Sequence, residues 1–283
     1  MTSSVDTIAI VGVGLIGASF GLAVKAAGFR GRIIGVSSEG AIRDASAKGA
    51  IDEALPLSGA AAQADLIYLS QPIGRILDTI RHVDEWTRPG ILITDAGSTK
   101  RAIVSAARRH IRRGQFLGGH PLAGKEKSGA AEGDGGLFAG RTYVLTPSHP
   151  DKLETPAARW LVSWLGKIGA VLHVLDADEH DRVVSFTSHL AQLASTALAS
   201  TVAESLDPPD ELAVSGPGLT DTTRLALSPY EVWRDILETN ADSIERALEA
   251  YIQKLESLRE NLRTRQMREE FQAAAALAAR LRR

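Results

Sequence analysis

Residues 118–129, GGHPLAGKEKSG, set one histidine, His120, between an apolar run and a glycine-rich charged loop. An imidazole of ordinary pKa, near ~6.5, takes up and releases a proton at neutral pH, so a histidine at the mouth of a site suits general-base work. Two other polar clusters follow apolar runs in the same manner: Ser70-Gln71-Pro72 and Asp95-Ala96-Gly97-Ser98-Thr99-Lys100. The earliest cluster is Gly12-Val13-Gly14-Leu15-Ile16-Gly17. Between a strand and a helix, that GxGxxG spacing permits a tight turn and close backbone approach to a pyrophosphate, with the N–H groups of the helix start turned toward the anion. It implies a nicotinamide or flavin dinucleotide. A histidine that merely caps a strand end would satisfy the pattern around His120 taken alone; its company with Ser98 and the dinucleotide turn favours catalysis.

The choice of dinucleotide depends on the end of the second strand. NAD sites place Asp or Glu there, about 20 residues beyond the glycines, to bind the ribose 2′-OH. This chain has Ser37-Ser38, which tolerates a 2′-phosphate, and Arg43 one helical turn on is placed to reach it. Glu39 argues the other way. NADP is favoured and NAD stays open.

These clusters need a scaffold that brings them together. Apolar, β-branched runs at 7–11, 32–36, 65–70, 91–95, 115–119, 143–146 and 171–174 alternate with helical patterns. Strands apolar on both faces, joined by crossover-length connections, predict a doubly wound, mostly parallel α/β sheet of Rossmann type. In such a sheet ligands bind beyond the carboxyl ends of the strands, where the four clusters lie. The loop 124–136 is expected to close over a substrate. After residue 178 the pattern changes: 182–205 reads as one long helix, a Pro/Gly-punctuated stretch runs to Gly218, and 230–283 reads as helix almost without interruption. The expected domains are 1–178, dinucleotide-binding, and 179–283, all-helical. Ile236, Ile244, Leu248, Tyr251, Leu255, Leu258 and Leu262 mark one apolar face, more than a small domain covers alone, which predicts a homodimer through the helical domain.

Composition narrows the partners. The 283 residues carry 32 basic and 34 acidic side chains, so no overall field favours nucleic acid or an anionic membrane. Cysteine is absent, which removes disulfides, thiol nucleophiles and thiolate metal sites, and no metal site is read elsewhere. The N-terminus lacks a basic leader, and no apolar run reaches the roughly 18 residues of a membrane span, so a cytoplasmic location is expected.

VGVGLIGASFG, DAGSTK, GGHPLAGKEKSG, LFAGRTYVLTP, HDRVVSFTSHLAQ and TDTTRLALSPYEVWRDILETN together resemble the prephenate/arogenate dehydrogenase family of tyrosine biosynthesis, from Ile8 to about Asn240. The resemblance implies a Rossmann-type domain followed by a helical dimerisation domain, and NAD(P)-dependent oxidative decarboxylation of arogenate and/or prephenate. It makes His120 the base that takes the substrate hydroxyl proton, Ser98 the residue that bonds the same hydroxyl and orients the imidazole, and Arg224 the clamp on a substrate carboxylate. His189 matches the first histidine of a motif that commonly reads SHLPH; here Ala191 and Gln192 replace the proline and second histidine, so the contacts of that second imidazole must come from Gln192 or from elsewhere. His180-Asp181 also fits the family, although such a pair at a helix start is more often structural. Lys125 points either to a substrate carboxylate or to solvent. Asp221 either selects the ammonium of arogenate or caps the helix carrying Arg224. Two other readings remain: a 3-hydroxyacid dehydrogenase of similar build, which generally uses a lysine absent from 182–205, and a dinucleotide-sensing protein without chemistry.

Overall fold

A computed structural model of the chain describes residues 5–206 and 210–282. Its first part alternates strand and helix: β1 (Thr7–Val11), α1 (Leu15–Ala26), β2 (Arg32–Val36), α2 (Glu39–Ala47), β3 (Glu53–Ala54), α3 (Leu57–Gln63), β4 (Leu66–Leu69), α4 (Ile73–His82), β5 (Leu92–Asp95), α5 (Arg101–His110), β6 (Gln115–Pro121), β7 (Thr142–Thr146), α6 (Pro156–Lys167) and β8 (Val171–Val174). Helices follow: α7 (Ala177–Val184), α8 (Leu190–Ser205), α9 (Pro217–Thr223), α10 (Tyr230–Thr239), α11 (Ala241–Glu260) and α12 (Gln266–Leu281).

The eight strands form one sheet in the order β3-β2-β1-β4-β5-β6-β7-β8. Every pairing is parallel except β6 with β7. The order reverses between β1 and β4, which makes the crevice beyond their carboxyl ends the natural ligand site. Because β1, β4 and β5 are almost wholly apolar, they bury both faces. One side packs Ile8, Ile10, Phe20, Leu66 and Tyr68 into a core; the other packs Ala9, Ile67, Ile76, Ile93 and Ile103. Ile236 and Ile244 from the helical part join the second core, so the two parts share apolar packing.

Several expectations change. The short strand β3 has no counterpart in the reading above, since two residues cannot show periodicity. β6 runs on through His120 and Pro121, past its last partner in β5, Leu117, with His120 opposite Val144 of β7. His120 therefore sits within a paired strand, not at the start of a loop. The long helix expected from Arg182 begins at Ala177, capped by Asp176, whose side chain accepts from Glu179 N, and passes through a π turn at Ser185–His189. The stretch 230–283 divides into α10, α11 and α12, broken at Asn240 and again over 261–265. The loop 124–136 is held at its far end: Ser19 Oγ accepts from Asp134 N at 2.9 Å and Lys48 Nζ donates to Gly133 O at 2.9 Å. Among the described residues no helix is long and apolar enough to cross a membrane.

Candidate active site

The turn from β1 into α1 has the form a dinucleotide needs. Gly12 adopts φ +92, and a Cβ there would lie 2.6 Å from Gln71 N. At Gly17 a Cβ would come within 2.4 Å of Gly12 O, so helix and turn pack at backbone distance. Gly14 instead faces open space, with nothing within 4 Å of a Cβ position, and no side chain caps α1. The α1 N-terminus at Leu15 and Ile16 is thereby left to an anion, so the residues present fit a pyrophosphate. Ser70, after β4, donates to Gly12 O at 2.9 Å and ties the two edges of the crevice together. Gln71 turns its side chain back to accept from Thr79 Oγ1 at 2.8 Å, and Pro72 starts α4. At the end of β2 a cleft of about 550 Å³ is lined by Ser37, Glu39, Ile42, Arg43, Leu55 and Pro56. Ser38 is the N-cap residue of α2, with no side-chain bond to the helix.

Next along the sheet lie Ser98, half-buried in the β5–α5 connection, and His120 on β6. Gly119, the residue before His120, is held at both its N–H and its C=O. Asp95 Oδ1 accepts from Gly119 N at 3.1 Å, and the buried Lys100 ammonium donates to Gly119 O at 2.7 Å and pairs with Asp95. The imidazole is 8% exposed. Its Nδ1 lies 2.8 Å from His180 Nε2, and His180 Nδ1 lies 2.8 Å from Asp181 Oδ1. Asp181 also accepts from the N–H groups of Lys100 and Arg101 at 2.7 and 2.9 Å, capping α5. Burial pushes the His120 pKa well below the ordinary histidine value, and His180, Lys100 and His189 act in the same direction. The near-neutral value expected from sequence is thus corrected: at neutral pH this imidazole is uncharged and free to accept a proton.

The helical part carries the remaining candidate residues. Arg224 opens a short 3-10 turn, Arg224–Leu227, and its guanidinium lies 3.7 Å from Glu126, six residues beyond His120. Gln192 on α8 donates to Leu225 O at 2.8 Å, and Ser195 Oγ accepts from Ala226 N at 3.2 Å. Gln192 thus spends an amide hydrogen on the turn that carries Arg224, a role that the expectation of direct substrate contact did not include. Asp221 is exposed on α9, whose N-cap is Gly216, so the capping alternative for Asp221 is set aside. His189, 1% exposed in the π turn, has Nδ1 3.3 Å from Asn240 Nδ2 and its ring edge-on to Trp233. Lys125, exposed at the surface, pairs with Asp134 at 2.9 Å and donates to Glu132 O, which ties its own loop. Among the described residues no group of three or more His, Asp or Glu is arranged to hold a metal ion.

Sequence reading set His180-Asp181 down as a pair that is more often structural and gave Lys100, within its strand-end cluster, no role of its own. The signal was present, since two adjacent titratable residues stand just after the last strand. What it lacked was the fold's placement of His180 against a histidine 60 positions earlier.

Comparison with known proteins identifies the family. A family model described as the prephenate dehydrogenase nucleotide-binding domain matches residues 20–174, and one described as the prephenate dehydrogenase dimerization domain matches 176–276. A prephenate dehydrogenase of Bacillus subtilis is 35% identical over 270 residues, covering 92% of this chain and 71% of that protein. The structure of prephenate dehydrogenase from A. aeolicus with hydroxyphenyl propionate and NAD+ superposes with a TM-score of 0.84 at 27% identity, covering 100% of this chain and 98% of that one. Synechocystis arogenate dehydrogenase gives 0.82 at 28% identity, covering 97% and 99%. The two family models adjoin within one chain, the first on the strand-rich part that carries His120 and the second on the helices that carry His180 and Arg224; the chain belongs to the prephenate dehydrogenase family, NAD(P)-dependent oxidoreductases that act by oxidative decarboxylation.

Proposed function

We propose that this chain converts arogenate, in preference to prephenate, with NADP favoured over NAD, and that His120 is the base. The observation that carries the role of His120 is its burial as a neutral imidazole on a strand two places from the dinucleotide crevice, with Nδ1 held 2.8 Å from His180 of the helical part. A bound nicotinamide supplies the hydride acceptor. The substrate gives up its hydroxyl proton to His120, loses a hydride from the carbon bearing that hydroxyl, and releases its ring carboxylate as CO2. The bond pair left by CO2 completes the aromatic ring. Ser98 bonds the hydroxyl, and Arg224 holds a substrate carboxylate with its planar fork. Gly12, Gly14, Gly17, Ser70, Gln71 and Pro72 form the dinucleotide seat, and Ser37, Ser38 and Arg43 the end that selects the 2′ group. Asp221 favours the ammonium of arogenate over the keto group of prephenate.

The test is a set of parallel assays of both substrates with both cofactors, on the native protein and on His120→Asn. We expect the variant to bind cofactor normally and to lose about 10²–10⁴-fold in kcat, the worth of a positioned proton acceptor. Native turnover in His120→Asn would remove it from the mechanism. A native protein indifferent to arogenate would refute the substrate preference.

A further inference from the structure

The ring nitrogens of His120 are not equivalent. Nδ1 is engaged by His180, which comes from the first helix of the following domain and is fully buried. His180 in turn is held at its other nitrogen by Asp181, whose two oxygens already accept backbone N–H groups at the start of α5. Asp181 has only acceptors to offer there, so the proton between it and His180 belongs to His180 Nδ1. A neutral His180 then presents a lone pair at Nε2, and His120 Nδ1 must supply the hydrogen for the 2.8 Å contact.

We propose that His180 is a positioning residue that fixes the tautomer of His120: the chain Asp181, His180, His120 places the resting proton of His120 on Nδ1 and leaves Nε2 as its only basic nitrogen. This rests on the reading of His120 as the base. When Nε2 takes the substrate proton, the new imidazolium is bonded through Nδ1–H to His180 and through it to the Asp181 carboxylate, with no second proton transfer needed. Without an acceptor at Nδ1 the imidazole is free to carry its proton on Nε2, where it cannot accept another. The same network fixes the backbone, because Lys100, whose N–H is capped by Asp181, also donates from its side chain to Gly119 O. Since His180 and Asp181 lie on α7 and His120 lies on β6, the tautomer of the base is set only when the helical part is docked on the sheet.

The experiment is ¹⁵N NMR of the histidine rings in the intact protein, labelled on its seven histidines, with His120 assigned by its loss in His120→Asn. We expect His120 to carry its proton on Nδ1 in the native protein and on Nε2 in His180→Phe. In steady-state assays His180→Phe should lose about 10²-fold in kcat with the cofactor KM within twofold of native, and His180→Gln, whose carbonyl oxygen again accepts from Nδ1, should recover most of the loss. A native His120 protonated on Nε2, the state that a doubly protonated His180 would impose, overturns the proposal. So does native kcat in His180→Phe, or equal losses in the Phe and Gln variants with the tautomer unchanged. If His180→Phe does not fold, the native tautomer alone decides. Failure of the relay with His120→Asn still inactive sinks only the relay; an active His120→Asn sinks the base itself.

Discussion

Ser37 stands where a carboxylate would bind a free 2′-OH, in a cleft with Arg43 on one wall and Glu39 beside it. Two exposed hydroxyls and a guanidinium against one carboxylate are the basis of the proposed NADP preference, and we expect a higher kcat/KM with NADP than with NAD. Ser37→Asp should reverse that order by repelling the phosphate and bonding the free hydroxyl. Steady-state assays with both cofactors check it, and a native preference for NAD would contradict it. His189 gives a second prediction at this scale. Burial lowers its pKa to about 4, against about 6.5 in an unfolded chain. Between those values the unfolded state binds more protons, so folding stability present at neutral pH is lost as pH falls from about 6.5 to about 4, on the order of 3 kcal/mol for this group. Urea titrations at pH 7 and pH 4.5 should therefore show a smaller loss in His189→Asn than in native protein; equal losses would mean that His189 is not neutral in the fold.

Among the elements, α4 and α5 are each capped by a carboxylate from the other half of the molecule. Asp181 on α7 caps α5, and Asp235 on α10 accepts from Gly74 N at 2.8 Å, next to Pro72, which cannot cap the helix itself. The other oxygen of Asp235 is held by Arg234 at 2.9 and 3.0 Å. Asp235→Ala should cost about 1–2 kcal/mol in urea unfolding, with Asp235→Asn recovering part through its amide oxygen. An Ala variant of native stability would show that packing of Ile236 and Ile244 holds the halves together unaided. The sheet itself was legible because most of its strands, β1 and β4 above all, are apolar runs, and the dinucleotide turn because its glycine spacing is a steric requirement. The caps were not legible: Asp235 and Gly74 are 161 positions apart, and nothing local marks Asp235 as different from any helix acid. Gln192 illustrates the same limit, since its type suggested a ligand contact and its fold neighbour is Leu225 O.

At the scale of the molecule, the chain exposes more surface than its mass warrants. A monomeric protein of 30.1 kDa is expected to expose about 11,700 Å² by the usual scaling of area with mass, whereas this chain exposes 15,754 Å². The apolar part of the surplus is concentrated in the helical half. Ile236 and Ile244, at the start of the predicted apolar face, are buried within the chain, but Leu255 and Leu262 are open, as are Ile252 on α11 and Phe271, Leu277 and Leu281 on α12. Along α11, Ile244, Leu248 and Ile252 line a groove with Leu193 and Leu237. Obligate homodimers bury roughly 2,000–5,000 Å² counted over both partners, so an excess of about 4,000 Å² on each chain is more than enough surface for such an interface, and two copies related by a twofold axis would cover these helices with each other. We therefore propose a homodimer through α11 and α12, consistent with the dimerization-domain model that matches this half. Sedimentation at low micromolar concentration should give twice the chain mass. Ile252→Asp, which places a charge in the groove without touching His120 or the dinucleotide crevice, should shift that mass toward one chain. A native protein that sediments as one chain at every concentration would leave the helical surface exposed and the dimer refuted.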